Sequence, residues 1–129
     1  MQPEERIRRT LEQMAEAARD IADFIRGADP DQFESQKLLR SAVERQIEII
    51  GEGARRIPDD FRALHPEIEW RAIASQRNVV AHEYDDIRID VIWKVSSIDV
   101  PALLLKLEKL LKDYPRAAPG SLSPQTPLN

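Results

Sequence analysis

Apolar residues recur at steps of three and four along most of this chain, and this period is the strongest constraint on its fold. One stripe consists of Ile7, Leu11, Met14, Ala18, Ile21 and Ile25, and another of Leu39, Val43, Ile47, Ile50, Ala54 and Ile57. Such spacing places the apolar side chains along one face of an α-helix, and no segment shows the two-residue alternation of a half-buried strand. The sequence therefore predicts an all-α fold.

The pattern predicts four main helices in an up-and-down bundle, over residues 4–26, 31–56, 70–83 and 87–113, with a short helix at 61–64. In the last main helix one predicted core stripe is Val91, Val95, Ile98, Ala102 and Leu105, widened by Leu103, Leu107, Leu110 and Leu111. The bundle is expected within residues 1–114, as one domain. Residues 115–129 hold four prolines and little to bury, so they predict a disordered tail.

Several residues mark the expected breaks. Residues 27–31 supply a glycine, a proline and acidic side chains, which suit the end of one helix and the start of the next. Pro101 should kink or restart the last helix, because proline removes one backbone hydrogen bond. The segment between the second and third main helices should be held down by Phe61, Leu64 and Trp70.

Gly51 and Gly53 lie inside the second main helix, where each costs up to about 1 kcal/mol relative to alanine. Two interpretations stay open. The glycines permit the close approach of another backbone, or they loosen the packing near a helix end.

Charge and composition restrict the function. The 19 Lys and Arg residues against 23 Asp and Glu give a net charge of −4, which argues against non-specific nucleic-acid binding over a broad basic surface. A local basic cleft is still allowed, and Arg55 with Arg56 forms either a solvated face or part of a phosphate-binding surface. Cysteine is absent and no apolar run approaches the roughly 20 residues of a membrane span, so we expect a cytoplasmic protein with no membrane partner.

Residues 77–84 carry the candidate chemistry. They read Arg77, Asn78, Val79, Val80, Ala81, His82, Glu83 and Tyr84. An imidazole that titrates near pH ~6.5 both takes and gives protons, and a guanidinium clamps phosphate oxygens, so the segment suggests phosphoryl chemistry. Spacing alone also fits a hydrogen-bonded surface cluster.

Helical geometry refines this hypothesis. Asn78 and His82 are four residues apart and can touch, so Asn78 could orient the imidazole. Arg77 and His82 are five apart and less well aligned, so either both side chains bend over a shared cleft or they act with residues of a second protomer, which suggests a dimer. His65 precedes a proline and is expected to cap a helix or to be solvated. The two histidines lack metal-ligand spacing, so no metal and no cofactor are expected.

The motif Arg77-x-x-x-x-His82-x-Tyr84 resembles that of HEPN domains, in particular HepT-like toxins. Further similarities are Ile50-Gly51-Glu52, the approach from Pro66 to Trp70, and the positions of Trp93 and Pro101. The resemblance covers residues 4–112. Two positions depart from the family pattern. Gly53 replaces a usual alanine, and Arg88 replaces a usual aspartate at the start of the last helix, so that helix is expected to begin at Asp85 or Asp86.

The resemblance implies a metal-independent endoribonuclease, the toxin of a type VII-like toxin–antitoxin system. It implies that His82 is the general acid or base, that Arg77 holds the scissile phosphate, and that Asn78 orients the histidine or the phosphate. It further implies a homodimer that brings both copies of the site into one cleft. A nucleotidyltransferase antitoxin would neutralise the toxin by AMP transfer to Tyr84. The alternative is a non-catalytic dimeric helical module that binds the nucleotidyltransferase or a nucleotide.

Overall fold

The computed structural model describes the backbone of residues 2–81 and 86–114 and the side chains of residues 2–75 and 89–114. Its helices are α1 (Pro3–Phe24), α2 (Pro30–Ser35), α3 (Lys37–Arg56), α4 (Asp59–Leu64), α5 (Trp70–Ala81), α6 (Asp86–Lys94), a π-helical turn (Val95–Asp99) and α7 (Val100–Asp113). The described residues contain no strand, which confirms the all-α prediction. The predicted tail, residues 115–129, lies outside them.

The main helices close around one core. Helix α1 packs against α3 and α7, and α5 packs against α3 and α6. The first two apolar stripes face inward as predicted, and their fully or nearly fully buried members are Leu11, Met14, Ala18, Ile21, Val43, Ile47, Ile50, Ala54 and Ile57. No helix in the described part of the chain is both long and apolar enough to cross a membrane.

The junction after α1 follows the sequence signals. Gly27 has φ of +77°, a left-handed conformation that glycine adopts without steric cost. The Asp29 carboxylate accepts a hydrogen bond from the Gln32 amide at 2.8 Å, and the Gln32 side chain accepts one from the Asp29 amide at 2.9 Å. This reciprocal cap satisfies two backbone donors at the start of α2.

The prediction of one unbroken helix over residues 31–56 is wrong. The chain turns at Gln36, whose φ of −104° and ψ of 92° are extended, and this turn separates α2 from α3. The Arg40 guanidinium donates to the carbonyls of Phe33 and Glu34 and so caps the end of α2. The turn buries Phe33 completely. The predicted apolar stripe begins at Leu39, after this turn, so the period did not reveal the break.

Gly53 allows α1 and α3 to approach closely. A Cβ atom at this position would lie 2.4 Å from Cγ and 2.9 Å from Sδ of Met14, which is itself fully buried. This contact shows tight packing at Gly53 and so argues against the interpretation of loosened packing, but the neighbour is a side chain of α1 and not its backbone. Gly51 is also buried. The contact at Gly53 also gives a physical reason for the missing alanine, because the Met14 side chain fills the space that a methyl group would need.

We expect the change Gly53→Ala to destabilise the wild type and to stabilise a Met14→Ala background. Overpacking typically costs about 1–3 kcal/mol, while alanine regains about 1 kcal/mol of helix propensity, so the net loss in wild type is up to about 2 kcal/mol. Without the Met14 side chain only the gain remains. A double-mutant cycle by urea unfolding measures both. Effects of the same sign in the two backgrounds would show that Met14 is not the obstacle.

The short helix α4 lies where it was predicted, but it packs differently. Phe61 is buried and contacts Tyr114 edge-on at 5.5 Å between ring centroids, whereas Leu64 is 74% exposed and does not hold the segment down as predicted. The Tyr114 hydroxyl donates to the Glu4 carbonyl at 3.3 Å. Burial raises the pKa of the Tyr114 phenol, and the nearby negative charge of Glu4 raises it further. The phenol therefore remains a hydrogen-bond donor at neutral pH.

Pro101 restarts the last helix, as predicted. The π-helical turn ends immediately before α7, and the Val100 amide donates to the Val95 carbonyl, five residues back. The hydroxyls of Ser96 and Ser97 donate to the carbonyls four residues earlier, each at 2.7 Å, and so provide partners for backbone acceptors beside the turn. A proline placed after a π turn thus interrupts the helix without leaving its backbone unsatisfied.

The predicted core stripe of this last helix is mostly wrong. Val95 is buried, but Val91, Ile98, Ala102 and Leu105 are exposed, Ile98 at 60% and Leu105 at 69%. The core contribution comes instead from three of the four residues predicted to widen the stripe, Leu103, Leu107 and Leu110, together with Ile92 and Val100, while Leu111 is only partly buried. We refer to Ile98, Ala102 and Leu105, which recur at steps of four and three, as the exposed apolar patch.

Candidate functional site

The helix that carries the motif is fixed firmly at its start. Trp70 is buried, and its indole Nε1 donates to the His65 carbonyl at 3.0 Å. The Phe61 ring meets the Trp70 ring edge-on at a centroid distance of 6.4 Å. Ile68 and Ile73 are also buried on this side. These contacts set the position and direction of α5, and therefore of the backbone that leads to the motif.

The structure places two of the four predicted site residues on helical backbone. Arg77 and Asn78 belong to α5, which runs to Ala81, and their side chains are not among those described. His82 and Tyr84 lie outside the described residues. The contact between Asn78 and His82, the role of Arg77 and the modification of Tyr84 therefore stay predictions.

The far side of the motif is fixed by α6. This helix begins at Asp86, which agrees with the start expected from the Arg88 departure. Its Trp93 ring packs on the ring of Phe33 with centroids 5.2 Å apart and an interplanar angle of 53°. Through this contact α2 holds α6. The motif segment therefore joins two helices that are each anchored to the core by aromatic contacts.

Sequence reasoning missed the part that Phe33 plays. It belongs to neither apolar stripe, because α2 is too short to show a period of its own. The available signals were a large aromatic residue in a polar stretch and the Asp-Pro start just before it.

His65 has a structural role. It follows the last residue of α4, and its amide donates to the Arg62 carbonyl at 3.1 Å, which confirms that it ends a helix. Its side chain is only partly exposed, since the ring stacks on Phe61 with centroids 4.5 Å apart. Its Nδ1 lies 3.4 Å from the nearer Glu67 carboxylate oxygen. The described residues include no cluster of three or more side chains able to ligate a metal ion.

Arg55 and Arg56 are exposed in the last turn of α3. The backbone carbonyl of Arg55 accepts a hydrogen bond from the Arg62 guanidinium at 3.1 Å, and Arg62 Nε donates to the Ile57 carbonyl at 2.9 Å. These bonds satisfy acceptors at the end of α3 and leave the two arginine side chains at the surface.

Residues 7–110 match the protein family described as Ribonuclease HepT-like. A protein of Thermococcus cleftensis named "Probable ribonuclease HepT" is 43% identical over 102 residues, covering 79% of this chain and 93% of that protein. Two proteins of Methanocaldococcus jannaschii, "Putative RNase MJ1380" and "Putative RNase MJ0127", are 36% and 32% identical over 98 and 111 residues. These alignments cover 76% and 86% of this chain and 90% and 92% of the two relatives.

No solved structure gives a significant match to this chain. The family match spans both helices that flank the motif and the motif itself. With 43% identity to a relative that it covers almost completely, this chain belongs to the HepT-like ribonuclease family.

Proposed function

We propose that this chain is a metal-independent endoribonuclease that acts as the toxin of a toxin–antitoxin pair in the cytoplasm. The observation that carries the proposal is the family match over residues 7–110, because it includes Arg77, Asn78, His82 and Tyr84 at motif spacing. The names "Probable ribonuclease HepT" and "Putative RNase MJ1380" of two relatives support RNA as the substrate.

In the proposed reaction the ribose 2′-hydroxyl attacks the adjacent phosphorus, and the bond from phosphorus to the 5′-oxygen breaks. His82 takes the proton of the 2′-hydroxyl as general base or gives a proton to the leaving 5′-oxygen as general acid. Arg77 holds the phosphate and stabilises the charge that develops on its oxygens, and Asn78 orients His82 or the phosphate. The products are a 2′,3′-cyclic phosphate and a 5′-hydroxyl.

Cleavage of RNA in the presence of EDTA tests this reaction directly. Purified protein should cut total RNA with EDTA present and should leave DNA of matched sequence intact, because DNA lacks the attacking hydroxyl. Mass spectrometry of the fragments should find 2′,3′-cyclic phosphate ends. Intact RNA under all conditions, with normal growth of cells that express the protein, would instead support the non-catalytic module that binds a nucleotidyltransferase or a nucleotide.

Tyr84 is the proposed point of control. Transfer of AMP from ATP to its hydroxyl by the cognate nucleotidyltransferase releases pyrophosphate and places an anionic group beside Arg77, where it competes with RNA phosphate. We expect one AMP adduct per chain and loss of cleavage in the wild type. The variant Tyr84→Phe should take no adduct and should stay active after the same incubation. An unmodified Tyr84 in the wild type, or an adduct on Tyr84→Phe, would overturn this assignment.

The proposed assembly is a homodimer in which both copies of Arg77 and His82 line one cleft. The exposed apolar patch supports an assembly, because neighbouring exposed apolar side chains mark interaction surfaces. A second copy of the chain is the occupant that the proposed shared cleft requires.

A further inference from the structure

A concave surface lies between the start of α1 and the end of α3. It is a groove of about 530 Å³, and its charged lining residues are Arg6, Arg9 and Arg56. Arg6 and Arg9 are three residues apart and so project from the same side of α1, while Arg56 belongs to the last turn of α3. We refer to this surface as the arginine groove.

The arginine groove lies beside the close contact at Gly53. The missing side chain of Gly53 lets α3 meet α1 near Thr10 and Met14, and a Cβ at this position would lie 3.5 Å from the Thr10 methyl carbon. Thr10 also lines the groove. The long side chains of Arg9 and Arg56 flank this close crossing, one from each helix.

The lining of the groove is strongly cationic in a chain whose net charge is −4. None of the described residues that line it is acidic, whereas all three arginines there are exposed at the surface. The positive end of the α1 dipole lies at Pro3, which is also part of the lining. Arg9 and Arg56 carry like charges on the lining of the same open groove, so an anion bound there is electrostatically favoured.

The groove suits a phosphodiester chain. A guanidinium fork binds phosphate oxygens bidentately, and Thr10 and Gln13 add neutral hydrogen-bonding groups to the lining. The shape is open and its cations come from two helices, so it fits successive phosphates better than one enclosed ion. Cationic grooves of this kind follow the backbone of single-stranded nucleic acids without reading the sequence.

The position of the groove separates it from the motif. It lies near Arg56 and Pro58, at the end of the bundle where α4 leads into the start of α5. Helix α5 then rises about 17 Å from Trp70 to Ala81, at 1.5 Å per residue, before the chain reaches His82. RNA held in the groove would therefore be contacted several nucleotides away from the cleaved bond.

We propose that the arginine groove binds the phosphate backbone of the RNA substrate outside the cleavage site. The inference rests on the proposed ribonuclease function for its ligand. It assigns Arg9 and Arg56 to substrate binding and not to the reaction, so they should affect the affinity for long RNA and leave the chemical step unchanged.

The test compares two double variants that each lose two positive charges. The groove variant is Arg9→Gln with Arg56→Gln. The control is Arg26→Gln with Arg45→Gln. These two exposed arginines form local ion pairs, Arg26 with Asp23 and Arg45 with Glu48. Binding of a 30-nucleotide RNA is measured between 50 and 300 mM salt on a His82→Ala background, so that the RNA stays intact. Thermal unfolding confirms that both variants fold.

For single strands the slope of log affinity against log salt changes by about 0.7 for each phosphate contact. The groove variant should therefore lose about 1.4 from the slope and bind roughly tenfold more weakly at 0.15 M salt, while the control keeps the wild-type slope. When the groove variant keeps His82, its KM for long RNA should be higher than that of the wild type, and its kcat/KM for a trinucleotide should equal the wild-type value.

Two outcomes would overturn the groove proposal. One is an equal slope for the groove variant and the control, and the other is an equal loss of cleavage on long and short RNA. Failure of the ribonuclease proposal looks different, because the wild type would then cut no RNA whatever the state of the groove. RNA binding that depends on Arg9 and Arg56, without any cleavage, would support the groove proposal and contradict the ribonuclease proposal.

Discussion

The variant His82→Ala should cleave RNA about 10²- to 10⁴-fold more slowly than the wild type, since this is the usual contribution of general acid–base catalysis. No other group in the proposed mechanism titrates near neutral pH, so nothing replaces the imidazole. Cleavage rates are measured with EDTA present, and growth is scored at equal expression. Circular dichroism and thermal unfolding should match the wild type, because α5 is anchored through Trp70 and Ile73 at its other end.

The second histidine provides the matched control. His65 ends α4 and its ring packs against Phe61, before the start of α5, whereas the motif lies beyond the other end of α5. His65→Ala should therefore lower stability slightly and keep cleavage. Growth arrest by His82→Ala at wild-type expression would remove His82 from the mechanism. Equal loss in both histidine variants would point to damage of the fold and not of the chemistry.

Introducing negative charge into the exposed apolar patch should abolish activity, because it should separate the protomers. The double variant Ile98→Asp with Leu105→Asp places two carboxylates in the proposed contact, where each would lose its hydration on assembly. Sedimentation should change from dimer to monomer, and cleavage should fall to background, because one protomer then lacks the second copy of Arg77 and His82. Both residues are exposed in the single chain, so its fold should survive.

The control for this experiment is Leu38→Asp, which adds a carboxylate at a leucine that is 85% exposed on α3. It should stay dimeric and active. A monomeric but fully active patch variant would refute the shared cleft. A patch variant that remains a dimer would place the interface on another surface and leave the cleft itself in place.

The apolar period predicted the helices because the same spacing that forms a helical face also buries it. It worked best for α1 and α3, whose remaining faces are polar, so only one side could turn inward. It failed for the last predicted helix, which carries apolar residues on two sides. Leu103 and Leu107 reach the core while Ile98 and Leu105 do not, and the choice depends on where α1 lies.

The candidate site also has one part that the sequence predicted and one part that it did not. Residue types and spacing singled out Arg77, Asn78, His82 and Tyr84, because a cation, an amide, an imidazole and a phenol seldom occur together in a chain of apolar stripes. The arginine groove had no such signal, since Arg9 and Arg56 are 47 positions apart in the sequence. The sequence indicates Arg56 only as part of a pair that forms either a solvated face or a phosphate-binding surface.

The sequence by itself determined the helical class, the junction at Gly27 and Asp29, the restart at Pro101 and the motif, because each depends on residues within a few positions of one another. Only the tertiary structure decided that Met14 fills the space above Gly53, that Phe33 turns inward onto Trp93, and which face of α7 is covered. Those outcomes depend on contacts between distant segments, whose steric fit and burial are set when the helices pack together.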